Sequence, residues 1–258
     1  MKKVLCLVLV LLLSVGVCLA DESDLLARIQ AEGKLVVAME GTWQPWTYHD
    51  DDDVLVGFDV DVARAIAGKL GVEVEFAECP WDSLFGGLGS GRYDLILNGV
   101  EYTDERAEKY AMSTPYAYIR TALIVRGDNE SIKSFEDLNG KKTANTLSST
   151  YAALGESYGA TTVGVDDFDQ TIMLLVQGRI DATINAEVSF YDYIAIQPDA
   201  NIKIAAVTEE ASSVCATMRS DEDSASFVEA VNAAIAELIE EGVIAEYSLK
   251  YFGSDLTK

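Results

Sequence analysis

Hydrophobic and polar positions alternate in a way that repeats along this chain. Gly57 to Phe76 reads GFDVDVARAIAGKLGVEVEF, where Val62, Ile66 and Leu70 recur at four-residue spacing. That spacing predicts a helix with one buried face. Gly71 stands where a C-cap glycine ends it, and a strand follows. Pro80 to Arg106, PWDSLFGGLGSGRYDLILNGVEYTDER, repeats the plan. Here Asp82 is the expected N-cap, Leu84 and Leu88 form the inner face, Gly91 lies past the end, and a strand runs into a loop ending in arginine. Upstream, Leu35 to Met39 reads as a first buried strand, Trp43-Gln44-Pro45-Trp46 as the loop after it, and His49 to Asp53 as a hairpin tip. Four adjacent aspartates cannot all converge on one ion, so this tip reads as a solvated turn rather than a metal site.

Tyr116 to Val125 is extended and leaves this first unit. Leu138 to Asn145 (LNGKKTAN) gives a turn and a strand, and Thr171 to Val176 a helix. The second half then echoes the first, because GRxDxxxN occurs at Gly91 to Asn98 and again at Gly178 to Asn185. Two copies imply two similar lobes rather than a solenoid. Ile202 to Val207 is expected to be the return crossover. Phe227, Val231, Ile235 and Leu238 share one helical face, Gly242 breaks the helix, and a last short helix reaches Phe252 and packs back on the first lobe. Two crossovers make a hinge. The expected division is 1–20 signal peptide, 21–117 and 206–258 first lobe, and 118–205 second lobe.

The ends and the charge narrow the setting. Lys2 and Lys3 precede an apolar run, Val4 to Leu13, too short to span a bilayer comfortably, and small residues follow. Cleavage after Ala20 fits. A lipidated Cys18 is the second option, against which Val17 fits a lipobox poorly. Either places the protein outside the cytoplasm, in the periplasm or extracellular space. The net charge of −24 becomes −26 without Lys2 and Lys3, since no acidic residue lies among the first twenty. Such a surface repels nucleic-acid phosphates and anionic lipid. Of four cysteines, Cys79 and Cys215 lie beyond the signal, and whether they meet in a disulfide is open. His49, the one histidine, sits in a charged turn, so no Ser–His or Cys–His pair can be assembled. The glycine loops lack both GxGxxG and a P-loop lysine, so no nucleotide cofactor is expected.

A loop at the carboxyl end of a parallel strand is where open α/β sheets put their ligand. A guanidinium there suits a carboxylate, because its planar fork makes two parallel hydrogen bonds. From about Gly33 to the C-terminus this order of segments resembles the periplasmic amino-acid-binding proteins (solute-binding family 3) that feed ABC importers. The resemblance implies an α/β, two-lobed type II periplasmic-binding-protein fold, each lobe a mixed sheet flanked by helices, joined by a two-segment hinge. It implies a monomer without cofactor or metal that closes on a small amino acid and serves a membrane permease. In the loop Thr103-Asp104-Glu105-Arg106, Arg106 would clamp the ligand α-carboxylate, aided by Ser149 and Thr150 at a helix N-terminus. Trp43 and Trp81 would sandwich the ligand side chain, with Trp46 left in the core. Glu40 would touch a polar side-chain end, and Asn98 and Gly99 would line the pocket.

Two positions depart from the family pattern. A hydroxyl residue expected before the loop threonine is Glu101, and the aspartate that pairs with the ligand α-ammonium is Ala186. Removing one partner of a buried ion pair costs about 3–5 kcal/mol, so Glu101 is expected to take over that contact. The rivals are that Glu187 swings in, or that the ligand has no α-ammonium. The segments MEGTW, NTLSSTYAALGESYGA and FGSDLTK look most like binders of cystine and polar amino acids. A general polar or cationic amino-acid binder, a sensory binder and a dehydratase on the same fold are the alternatives.

Overall fold

The computed structural model describes residues 24–258, so the expected signal segment and Cys18 lie outside the described residues. Two five-stranded sheets organise the chain. In the first, Lys34–Met39 pairs in parallel with Glu73–Glu78 along its whole length and with Leu95–Ile96 on its other side. Thr217–Arg219 and Tyr110–Met112 complete that sheet in antiparallel register. In the second, Thr161–Gly164, Lys142–Asn145 and Ala182–Ala186 run parallel, and Thr121–Arg126 lies antiparallel between Ala182–Ala186 and Ile202–Val207. Mixed sheets flanked by helices in two lobes are what the sequence implied.

Ile202–Val207 is therefore not the return crossover. It is the edge strand of the second sheet, paired with Thr121–Arg126 and shifted in register between Ile204 and Ala206. The crossing is made by Ser212–Val214, which pairs antiparallel with the outgoing segment Ala117–Ile119. The return was expected at Ile202 to Val207, and sequence alone does not say which of two successive extended segments changes sheet.

The repeated GRxDxxxN has the same physical content in both lobes. Gly91 and Gly178 adopt left-handed backbone, φ 70° and 68°, past the ends of the helices Trp81–Gly89 and Phe168–Val176. Three residues later Asp94 accepts the Val36 N–H at 3.0 Å, and Asp181 accepts the Lys142 N–H at 2.8 Å. Each aspartate thus fixes a new strand to its parallel neighbour.

The helix Phe58–Leu70 buries Phe58, Val62 and Ile66 and stops at Gly71, φ 73°. Full burial of each such side chain contributes about 1.5–3 kcal/mol. Before it, a Cβ on Gly57 would stand 2.2 Å from the Trp46 carbonyl oxygen, so only glycine fits that turn. The helix Trp81–Gly89 begins two residues earlier than the sequence suggested. Pro80, not Asp82, precedes it, and Asp82 falls in its first turn. Its φ pre-set near the helical value makes proline a natural leader into a helix. Ala225–Glu240 buries Phe227, Val231, Ile235 and Leu238 and packs on Phe58–Leu70, followed by Gly242 and the helix Val243–Phe252. Cys79 is half-buried and Cys215 buried, and both thiols are free. Among the described residues no helix is long and apolar enough to cross a membrane.

Candidate ligand-binding site

Between the two lobes lies a cleft of about 540 Å³, a volume that includes its opening to solvent. The first lobe lines it with Glu40, Thr42, Trp43, Trp81, Gly99 and Glu101. The second lobe contributes Asn145, Thr146, Ser149, Thr150, Tyr151, Asp167, Phe168, Thr171 and Asn185. Seven of the nine residues expected at the site thus meet here. Asn98 and Arg106 do not line this cavity.

Glu40 follows the last residue of the strand Lys34–Met39, at its carboxyl end. Asn98 lies behind the wall, fully buried, and its amide donates to the Glu40 carboxylate at 2.7 Å. Burial pushes the Glu40 carboxyl up to about 7, opposed by that hydrogen bond and reinforced by Asp167 of the other lobe. Gly99 turns in left-handed backbone, φ 56°, where a Cβ would meet the Trp43 ring at 2.6 Å. Its N–H is held by the fully buried Asp59 at 2.5 Å. Trp43 stacks on Trp46 with centroids 5.2 Å apart. Trp46 is core, packed on Phe58 and Phe252, and its indole N–H also reaches Ser189 of the second lobe at 3.2 Å.

Arg106 lines a neighbouring cavity with Asp82, Phe85, Ser148, Ser149 and Thr150, and the two cavities share Ser149 and Thr150. Thr103 caps the turn that carries it, accepting the Arg106 N–H at 3.1 Å. The guanidinium donates to the Glu101 carbonyl at 2.7 Å and lies 5.3 Å from the Trp81 and Phe85 ring centres. It is half-buried and makes no ion pair among the described residues. Burial depresses its pKa, an arginine remaining charged all the same.

Ser149 caps the helix Thr150–Ser157, its hydroxyl accepting the Ala152 N–H. The Thr150 hydroxyl donates to the Glu101 carboxylate across the cleft. Ala186 is fully buried, and Glu187 is engaged by Arg120 at 2.7 Å. The carboxylate that was the rival to Glu101 is thus already paired. Three polar atoms on cavity-lining residues lack a hydrogen-bond partner among the described residues: Nε1 of Trp43, Nε1 of Trp81 and Oδ1 of Asn145. Buried donors and acceptors left in this way are costly, and a bound ligand is one means of satisfying them.

Several lining residues escaped the sequence reading. Asn185 ends the second GRxDxxxN and Asn145 ends a parallel strand, so the strand-end rule applied to the loop of Arg106 would have found both. Asp167 caps the helix Phe168–Val176, accepting the Gln170 N–H at 2.8 Å, and reads from sequence as a cap alone.

Residues 35–254 match the model of the bacterial extracellular solute-binding proteins, family 3. The chain belongs to that family. It is similar to the L-cystine-binding protein TcyA of Bacillus subtilis, with 40% identity over 240 residues, 93% of this chain and 88% of the relative. The L-cystine solute receptor of Neisseria gonorrhoeae, in its unliganded open conformation, is 37% identical and superposes with a TM-score of 0.60, covering 91% of this chain and 99% of the other. An ancestral arginine-binding protein bound to arginine is 33% identical but superposes with a TM-score of 0.80, covering 86% and 99%. This chain thus superposes more closely on the arginine-bound relative than on the open one, although the open one is nearer in sequence.

Proposed function

We propose that this family member is the solute-binding component of an amino-acid ABC importer, that it binds cystine, and that the lobe carrying the second sheet closes on the ligand about the paired segments Ala117–Ile119 and Ser212–Val214. The ligand α-carboxylate docks between Arg106 and the N-terminus of the helix Thr150–Ser157. The observation that carries this reading is a half-buried guanidinium without an ion pair, set beside that N-terminus. A fixed cation and helical N–H groups together favour an anion. Glu101, beside the same N-terminus, takes the α-ammonium that Ala186 cannot. Cystine carries a second ammonium, and Glu40 and Asp167 line the opposite lobes of the same cavity. The similarity to cystine-binding relatives supports the same ligand. Closure forms the surface that a membrane permease recognises, and the protein works as a monomer in the periplasm or on the cell exterior.

A cationic amino acid such as arginine is the second reading. It is favoured by three carboxylates, Glu40, Glu101 and Asp167, around a cavity whose lining includes no lysine or arginine. Calorimetry with cystine, arginine, the other amino acids and amine-free carboxylates decides between them. Cystine binding that is lost in Arg106→Ala and weakened about a hundredfold or more in Glu101→Gln supports the first reading. Tighter binding of arginine than cystine establishes the second. Binding of amine-free carboxylates alone removes both, as does full affinity in Arg106→Ala.

A further inference from the structure

The lobes also meet outside the cavity, at its rim. Asp82 accepts two hydrogen bonds from Ser148 of the second lobe, one from its backbone N–H at 3.1 Å and one from its hydroxyl at 2.5 Å. Both residues are exposed. Their neighbours in sequence are not incidental: Asp82 directly follows Trp81, and Ser148 directly precedes Ser149, both of which line the main cavity. Asp82 and Ser148 themselves line the adjoining cavity that holds Arg106.

We propose that Asp82 and Ser148 form an affinity-determining latch that acts through closure of the lobes and not by touching the ligand. The proposal rests on the hinge-closing reading above. The contact joins two lobes that only the paired crossover segments connect covalently, so it weights the closed arrangement whether or not ligand is present. A carboxylate is suited to this post. It lies in the first turn of its own helix and points at the N–H just ahead of the helix Thr150–Ser157, so two helix N-termini favour its charge. Hydrogen bonds to an ionised acceptor are also stronger than neutral ones. Apparent affinity scales with the population of the binding-competent state, so a contact that favours closure tightens binding of any ligand the cavity accepts. Both residues line the cavity that holds Arg106, where shielding from water on closure strengthens the guanidinium's attraction for an anion.

The decisive measurement needs no ligand. Labels at exposed positions of the two lobes (Glu229→Cys and Asp199→Cys in a Cys6→Ser, Cys18→Ser, Cys79→Ser background that keeps only the buried Cys215) report the interlobe distance distribution of the unliganded full chain. A closed population is expected, with the closed-to-open ratio falling about three- to tenfold in Asp82→Ala and in Ser148→Ala. Asp82→Asn, which keeps one acceptor, should fall between. The double variant should be no worse than the more affected single one, because both remove the same contact. Absence of a closed population, an unchanged distribution in the variants, or additive losses overturns the latch. A parallel cystine titration should show affinity losses in the same order among the variants and no larger than the losses in the closed-to-open ratio, because affinity scales with the fraction closed. Failure of the unsubstituted protein to bind cystine would count against the proposed ligand alone, and the distance data would still decide the latch.

Discussion

Asn98 grips Glu40 twice: its amide nitrogen donates to the Glu40 carboxylate at 2.7 Å, and its amide oxygen accepts the Glu40 backbone N–H at 2.7 Å. The same oxygen takes the Thr47 hydroxyl at 3.3 Å. A residue expected to line the cavity is thus the support of one that does, and the Glu40 side chain cannot turn away from the ligand space without breaking its bond to the Asn98 amide.

That fixed carboxyl, pushed by burial to about 7 from the ordinary 4.5, makes ligand affinity depend on pH. A ligand cation seated on Glu40 requires the ionised form, so below about 7 a proton must leave first. Affinity should fall about tenfold from pH 8 to pH 6. Stability of the unliganded protein runs the other way. A raised folded-state pKa means that the folded chain holds the proton more tightly, so the Glu40 contribution is fully present below about 4.5 and is lost as pH rises through about 7. Calorimetry at pH 6, 7 and 8 should show this slope in the unsubstituted protein and a flat profile in Glu40→Gln. A slope that survives Glu40→Gln assigns the effect to another group.

Asp59 anchors the loop from beneath. It accepts the Gly99 N–H at 2.5 Å and the Tyr116 hydroxyl at 2.8 Å, with burial pushing its carboxyl to about 7. Asp59→Ala strands two buried donors and should cost about 2–4 kcal/mol in urea unfolding, while Asp59→Asn, which can still accept from Gly99 and donate to Tyr116, should cost less. Equal losses in the two variants would mean that the charge itself, and not the pattern of donors and acceptors, matters there.

Much of this arrangement was legible before the fold. Four-residue spacing located the helix on Val62 and Ile66, and the double GRxDxxxN exposed the pseudo-repeat, because both follow from local geometry and burial. What failed was non-local. Asn98 and Gly99 are adjacent in sequence, yet one faces Glu40 and the other faces the cavity, a choice set by the left-handed turn and by Asp59 forty residues away. Arg106 was expected to share one pocket with Trp43 and Glu40. Its guanidinium lies instead beneath Glu101's carbonyl and beside two rings, contacts that no spacing rule encodes. Ile202–Val207 was expected to be the return crossover and is an edge strand, since its place depends on pairing with Thr121–Arg126.

Gly99→Ala should separate the loop's shape from its chemistry. The left-handed φ already strains alanine, and the added methyl carbon would meet the Trp43 ring at 2.6 Å and that of Trp46 at 3.3 Å. Stability should fall by about 1–3 kcal/mol. The displaced Trp43 ring should weaken ligand binding more than about tenfold and alter the tryptophan emission of the unliganded protein. Unchanged emission together with unchanged affinity would show that the ring tolerates the methyl group without moving.

Trp81 offers the cleanest test of whether the unpartnered indole groups serve the ligand. Its ring packs edge-on against Phe85 with centroids 5.6 Å apart and lies 5.3 Å from the Arg106 guanidinium, while its N–H has no partner among the described residues. Trp81→Phe keeps an aromatic face toward Arg106 and removes the donor. In the unliganded protein this should be neutral or stabilise by up to about 1 kcal/mol, because a buried donor without an acceptor disappears. Ligand binding should weaken about five- to tenfold where the bound molecule supplies that acceptor. Thermal unfolding with and without ligand separates the two effects on the same sample. A loss of stability in the unliganded variant would mean that the lost ring area outweighs the donor. An unchanged affinity would assign Trp81 to packing against Arg106 and leave the indole of Trp43 as the donor to test.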